Sequence, residues 1–498
     1  MKFENRKKGL FLMVLAFMFM LAMVACGNGD DNGDDPADGD DYEEVDNGDV
    51  DDNGDDDNGD DNGADDAESG DGLSGTLSIA SFTNEGQVWS TAFEGANPGV
   101  TIDYEFITME EGVYQEWLMP LLALGGDVPD IIFLEADFIR QFVETPFLRD
   151  LSHLLPDAEA SNVFQFTLDA GYYEGEQRAF SWQATPGVFY YRRSMAERYL
   201  GTDDPAEVQE FFTDLESTLE AAQMIRDGSD GSSFLISNPN SFYRGFGANR
   251  EDPWVVDNTL VIDPLMMEFV DFARTLEDEG LHAEIGQWTG EWFSSMNDEH
   301  HDAAGNPVQV FGYLLPTWGL THVIMGNAPD TAGDWGIIES PLPYQWGGTW
   351  AAVTRDASNP ELAEEFVRFV LDEDNQRRWA DGSFTHEYLS AIDPTLDAAI
   401  YQSPGDLVSS QNVINAISDD FEGTPAYDFL GGQNPYETFG RLAPNVSLRL
   451  MQGTDAAIGD QWQDAVGAYV DGELGSVEEL LASFRDAVSI ILPDLNLE

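Results

Sequence analysis

The 498-residue chain has one cysteine, Cys26, and no lysine after Lys8. A single thiol excludes intrachain disulfides and thiolate metal sites, so any core must be held by packing alone. Cations of either kind are scarce: 21 Lys and Arg stand against 95 Asp and Glu, a net charge of -74, and every basic residue past Lys8 is arginine. A surface of that sign repels nucleic acid and anionic lipid, so nucleic-acid binding is excluded as a function. It also repels itself unless salt screens it, which implies a salty or alkaline habitat. Long apolar runs are missing as well. Leu10 to Met23 is the one sustained stretch, and it is shorter than a helix needs to cross a bilayer.

That stretch has the layout of an export leader. Lys2, Arg6, Lys7 and Lys8 precede it and Val24-Ala25-Cys26 follow, which gives a charged start, an apolar middle and small residues before a cleavage point. Residues 1–25 are therefore expected to be a lipoprotein signal peptide and Cys26 the lipidated residue. Two or more acyl chains at that position anchor a protein stably without spanning the membrane. Asn28 to Gly72 holds 22 acidic residues in 45 and no Lys or Arg. Such a segment buries no apolar surface, so residues 26–72 are expected to form a lipid-anchored, disordered acidic tether.

The remaining body is long enough for two lobes. Leu73 to Ser81, Val100 to Phe106 and Pro129 to Leu134 read as strands, with helices over Gln87 to Glu94 and Glu111 to Leu124 between them. This βαβαβ order predicts an α/β fold with a parallel sheet covered on both faces. Ligands of such sheets sit beyond the carboxyl ends of the strands, here near Asn84, Glu85, Glu135 and Asp137. An extended stretch over Ser181 to Tyr191 leaves this lobe. Helices are expected over Ala206 to Asp227, Pro264 to Glu279, Asn359 to Ala380, Gly459 to Val470 and Ser476 to Ile491. Further strands are expected at Val308 to Leu315, Trp335 to Ile338 and Thr349 to Val353.

The order of short motifs carries more than any one of them. Asn97-Pro98-Gly99-Val100 precedes the second strand, and Gly125-Gly126-Asp127-Val128-Pro129-Asp130-Ile131 leads into the third. Pro186 to Leu200, Val310 to Trp318, Pro341-Leu342-Pro343 with Gly347-Gly348-Thr349-Trp350, and Asn359-Pro360-Glu361-Leu362-Ala363 follow. Tyr469 to Glu473 with Ser476 to Phe484 closes the series. Over Gly75 to Leu492 this resembles the family 1 extracellular solute-binding proteins of ABC importers, the group that includes the maltose-binding proteins. The resemblance implies a two-lobed periplasmic-binding-protein-like fold with hinge-crossing strands, closing on its ligand. One lobe would be 73–182 plus about 349–400, the other about 184–343 plus about 405–498. It also implies ABC permease subunits with a cytoplasmic ATPase as partners, a monomeric binder, and no cofactor or metal.

Carbohydrate sites combine indole or phenol platforms, which take sugar C–H faces, with planar polar groups for the hydroxyls. All 12 tryptophans lie in the body. Trp318 stands where the family carries a stacking tryptophan, Trp346 and Trp350 bracket a Gly-Gly turn at the second crossing, and Trp182 stands at the first. Asp137 matches a family acid that accepts sugar hydroxyls; Asn84 and Glu85 occupy the loop after the first strand. Gln433 and Tyr436 are further candidates before the C-terminal helices. Leu134 and Glu85 replace a tryptophan and a lysine of the maltose-binding pattern, so malto-oligosaccharide is not assumed. A neutral mono- or oligosaccharide is the expected ligand, with Arg244 and Arg250 able to serve an acidic sugar instead. Arg192 and Arg193 lack the Gly-rich loop of a phosphate site.

Two other classes stay open. A tethered sensor or adhesin could share the fold without feeding a permease. A surface glycosidase would need paired carboxylates, for which Glu291, Asp298 and Glu299 are available. Asp298-Glu299-His300-His301-Asp302 is acid- and His-rich but lacks the i, i+4 helical spacing of a zinc motif. No catalysis is expected.

Overall fold

The structure is a computed structural model and describes residues 72–396 and 407–497. The leader, Cys26 and nearly all of the acidic tether lie outside the described residues. Among the described residues, no helix is long and apolar enough to cross a membrane.

Eight strands position the site: β1 (Ser74–Ser81), β2 (Gly99–Phe106), β3 (Ile131–Glu135), β4 (Phe180–Ser181), β5 (Gly187–Arg192), β6 (Gly312–Pro316), β7 (Trp335–Glu339) and β8 (Thr349–Val353). The first sheet runs in the order β2-β1-β3-β8-β4. β1 pairs parallel with β2 and β3, while β8 pairs antiparallel with β3 and β4. The sheet is thus parallel over its first three strands and mixed as a whole. The antiparallel partner comes from residues far along the chain, which local periodicity does not reveal. The second sheet is antiparallel throughout, with β5 between β6 and β7. Together they make a mixed α/β fold of two lobes.

Two expected helices are broken, each at an aspartate that caps the second piece. The stretch expected as one helix over Asn359 to Ala380 is Pro360–Leu371 followed by Glu373–Ala380; Asp372 is extended and accepts the Asn375 N–H. Ala206 to Asp227 likewise divides into Pro205–Gln209 and Leu215–Gly228, where Asp214 and Ser217 form a reciprocal cap. A carboxylate that satisfies an orphan N–H outweighs one more helical residue.

The chain crosses between the sheets beside itself. Thr185 O accepts the Trp346 N–H and Tyr344 O accepts the Gly187 N–H, while Ala184 N–H donates to Leu407 O. Segments around 185, 345 and 407 therefore lie against one another. Gly187 is required here, because a Cβ at that position would stand 1.9 Å from the Tyr344 ring. Beneath the first sheet, Trp89 stacks on Trp379 at 5.1 Å, and Trp182 packs against both.

Candidate functional site

A cavity of about 360 Å³ opens where the two lobes meet. Its first-lobe wall is Ala136 and Asp137, immediately beyond β3. The opposite wall comes from the short helix Tyr243–Ala248, the loop around Trp288, the crossing residues Gln345 and Trp346, and the start of helix Asp455–Val470.

One ion pair spans the gap. Arg244 Nη1 and Nη2 donate to the two Asp137 carboxylate oxygens, both at 2.9 Å, and the guanidinium lies 4.6 Å from the Trp346 ring centroid. Burial opposes ionisation of Asp137, but the Arg244 charge and hydrogen bonds outweigh it and hold this carboxyl below its usual range. Glu135, two residues earlier and 7% exposed, goes the other way. Burial, and then the Asp137 charge beside it, push its carboxyl well up, and it accepts the Asp137 N–H at 2.6 Å.

Trp288 and Trp346 form the aromatic side, with Trp318 packed behind them. Trp318 and Trp346 meet edge-on at 5.5 Å, and the Trp318 N–H donates to the Trp346 carbonyl. Trp288 lies nearly parallel to Trp318 at 6.4 Å and edge-on to Trp346 at 5.8 Å. Gly347 lets this happen: its φ is +81°, and a Cβ there would stand 2.7 Å from the Trp318 nitrogen. Trp288 is 46% exposed and has φ +64°, unusual for a bulky side chain. A large, strained, half-exposed indole at a cavity is the form a ligand platform takes.

The other cavity cation, Arg250, is ion-paired, although its Nη1 is buried without a hydrogen-bond partner. Arg250 donates to Asp455 at 3.0 Å and lies over Trp254. Burial raises the Asp455 carboxyl to about 6 against the opposing pull of Arg250. Asp460, on the same helix, lines the cavity without a hydrogen-bond or ion-pair partner among the described residues.

The ten expected ligand residues separate into groups. Asp137 and Trp346 line the cavity, and Glu135 and Trp318 stand directly behind them. Trp182 and Trp350 do not reach it. Both are fully buried, Trp182 against Trp89 and Phe133, and Trp350 with its N–H on Thr167 O. Alternation along β8 turns Trp350 into the core, and Trp182, in the bend just after β4, packs there beside Trp89 and Trp379. Asn84 begins the helix Glu85–Ala96, and Glu85 accepts from Gln183; neither lines the cavity. Gln433 bonds both backbone groups of Ile337, acting as an extra rung on β7, and Tyr436 packs under Phe421. Both belong to the packing of the segment 407–450.

Other expectations are answered by partners. Arg192 holds Asp298 and Asp334, and Arg193 donates to the carbonyls of Trp335, Asp203 and Leu430. Neither faces an anion site. Among the described residues, no group of three or more His, Cys, Asp or Glu is placed to hold a metal. Sequence reasoning missed Trp288, Tyr243 and the acidic start of the helix Asp455–Val470. The signal for Trp288 was available: an aromatic within Gly286-Gln287-Trp288-Thr289-Gly290 has no helical or strand stripe to join.

Two α/β lobes with crossing segments between them and a polar, tryptophan-walled cavity at their junction define a hinged binding protein. A family profile described as bacterial extracellular solute-binding protein matches residues 89–404, and the chain belongs to that family. Membership implies an extracellular or periplasmic protein. Solved structures agree in fold. An extracellular solute-binding protein of family 1 shares 18% identity at a TM-score of 0.68, over 83% of this chain and 98% of that one. The sugar-binding protein MalE of Xanthomonas citri shares 14% at 0.63, over 84% and 98%. The Bifidobacterium longum ABC-transporter protein that binds galacto-N-biose and lacto-N-biose I shares 14% at 0.60, over 86% and 100%. Among curated proteins, no sequence match is found.

Proposed function

We propose that this chain captures a mono- or oligosaccharide between its lobes and delivers it to an ABC permease. The observation that carries the reading is the junction itself. Trp288 and Trp346, backed by Trp318, offer indole surface beside Asp137, Asp460, Asn240 and Gln287, the pairing of apolar faces with planar polar groups that a sugar ring needs. The fold neighbours from Xanthomonas citri and Bifidobacterium longum are sugar binders, which supports the same class here. Lobe boundaries follow the two sheets: residues 73–182 with about 349–400, and about 184–343 with the C-terminal helices. Ligand bound to both lobes favours the closed arrangement, and that arrangement docks on the permease. The binding step needs no cofactor and leaves the sugar unchanged.

In this reading Cys26 carries the lipid and the tether holds a monomeric binder at the outer face of the membrane. A thermal-shift panel of mono- and oligosaccharides in molar salt tests the binding claim, since a ligand of the folded state raises its melting point. No shift with any sugar would remove it. Release of a Cys26→Ala variant from the membrane fraction tests the anchor, and retention there would reject it. Product formation from an oligosaccharide would instead favour a glycosidase.

A further inference from the structure

We propose that the cavity selects against anionic sugars and that Asp460 is the residue that sets this preference. The inference rests on the carbohydrate reading above and adds the charge class of the ligand. Three carboxylates and two guanidiniums line the cavity: Asp137, Asp455 and Asp460 with Arg244 and Arg250. Arg244 is held by both oxygens of Asp137, and Arg250 is held by Asp455. The one charged group left over is a carboxylate. Asp460 stands on the second-lobe helix, near enough to Asp137 and Asp464 that their charges add to burial in holding its proton more tightly, with Arg244 opposing.

A uronate entering this space meets no cation without a carboxylate partner, and the unpaired donor Arg250 Nη1 is buried beside Asp455. The uronate must either displace Asp137 from Arg244, which strands a carboxylate, or sit unpaired beside Asp460. A hydroxyl or ammonium group meets the opposite situation, because Asp460 offers acceptor oxygens with no competing donor. Rejection by an unpaired like charge is a stronger discriminator than one additional attraction. The arginines that could have served an acidic sugar are therefore committed elsewhere.

The test uses the full chain and two matched sets, glucose, glucuronate and glucosamine, and galactose, galacturonate and galactosamine, each as monosaccharide and β-1,4 disaccharide. Affinities are measured by calorimetry or ligand-observed NMR at fixed pH 7 and two salt concentrations. In whichever set binds, the uronate is expected to be at least tenfold weaker than its neutral parent, and the amine at least as tight. Asp460→Asn, a change at an exposed helical position, should weaken the parent a few-fold and shrink the uronate gap to under threefold, with the melting temperature retained. A uronate that binds as well as its parent, or a gap that Asp460→Asn leaves unchanged, overturns the inference while leaving sugar binding intact. Absence of binding by every sugar, including a broad neutral panel, removes the carbohydrate reading and this inference with it.

Discussion

Replacing Trp288 separates a ligand platform from a packing residue. A tryptophan side chain presents up to about 250 Å², so with 46% exposed roughly 115 Å² of Trp288 faces solvent. A sugar laid on one indole face would cover about half of that. At ~25 cal/mol per Å² the burial is worth about 1.5 kcal/mol, and ring contact adds about 0.5–1.5 kcal/mol beyond area. Trp288→Ala should therefore weaken the best sugar by about 2–3 kcal/mol, roughly 30- to 150-fold in Kd. Trp288→Gly gives the internal control. Both variants lose the same indole, but glycine has no penalty at φ +64°, so it should be more stable than the alanine variant by about 1 kcal/mol. Calorimetric titration reads the affinity and urea unfolding reads the stability. Unchanged affinity in both variants would show that the exposed indole does not touch the ligand, whatever its strain.

Asp137→Asn removes a bridge whose partners are 45% and 31% exposed at the side chain, so the stability loss should stay under about 1 kcal/mol; small-angle scattering of the unliganded variant should show a larger radius of gyration, and an unchanged radius would mean the pair does not hold the lobes together. Asp455 has a folded-state pKa raised to about 6, so its contribution is complete below about pH 4 and is lost as pH rises through 6. Wild type should accordingly lose on the order of 2–3 kcal/mol of its advantage over Asp455→Asn between pH 4 and pH 7, read from urea midpoints; a difference that does not vary with pH would refute the assignment. Asp130, 1% exposed, accepts from Ser78, Ser358 and Asn359. Asp130→Asn places amide donors against some of those N–H groups and should cost about 2–4 kcal/mol without changing sugar affinity, and a neutral effect on unfolding would refute its tie between β1 and the Pro360 helix.

Sequence periodicity located β1, β2 and β3 because each is a short alternating or apolar run bounded by Gly, Pro or Asn. It located β5 to β8 for the same reason. What it could not see was pairing over long distance. β8 joins the first sheet from more than two hundred residues beyond β3, and only the family resemblance supplied that. The site was legible in proportion to how far each residue depended on its own strand. Asp137 follows directly from the end of β3, and Trp346 from the turn at the crossing. Trp182 and Trp350 lie in the core, because proximity to a crossing in sequence does not tell whether an indole points to the cleft or into the lobe. Trp288 and Asp460 come from second-lobe segments whose place at the cleft is set by tertiary packing, which local sequence pattern does not report.

The arginine-only body and the cavity obey one economy of charge. With cations so few, both cavity arginines are ion-paired, Arg244 to Asp137 and Arg250 to Asp455, and Arg192 at the far end of β5 is paired with Asp298 and Asp334. Guanidinium suits that duty, since its planar fork matches a carboxylate and its face lies on an indole, as at Trp346, Trp254 and Trp335. A lysine in the same place would supply one point charge and no plane. The consequence is that the surplus negative charge of the chain extends into the cavity, where Asp460 has no ion-pair partner among the described residues. Salt screens exposed pairs first, so the half-exposed Asp137–Arg244 bridge is the contact whose strength should follow ionic strength, while Arg250–Asp455 and Arg192–Asp298, with arginine side chains only 5% exposed, should respond to salt much less.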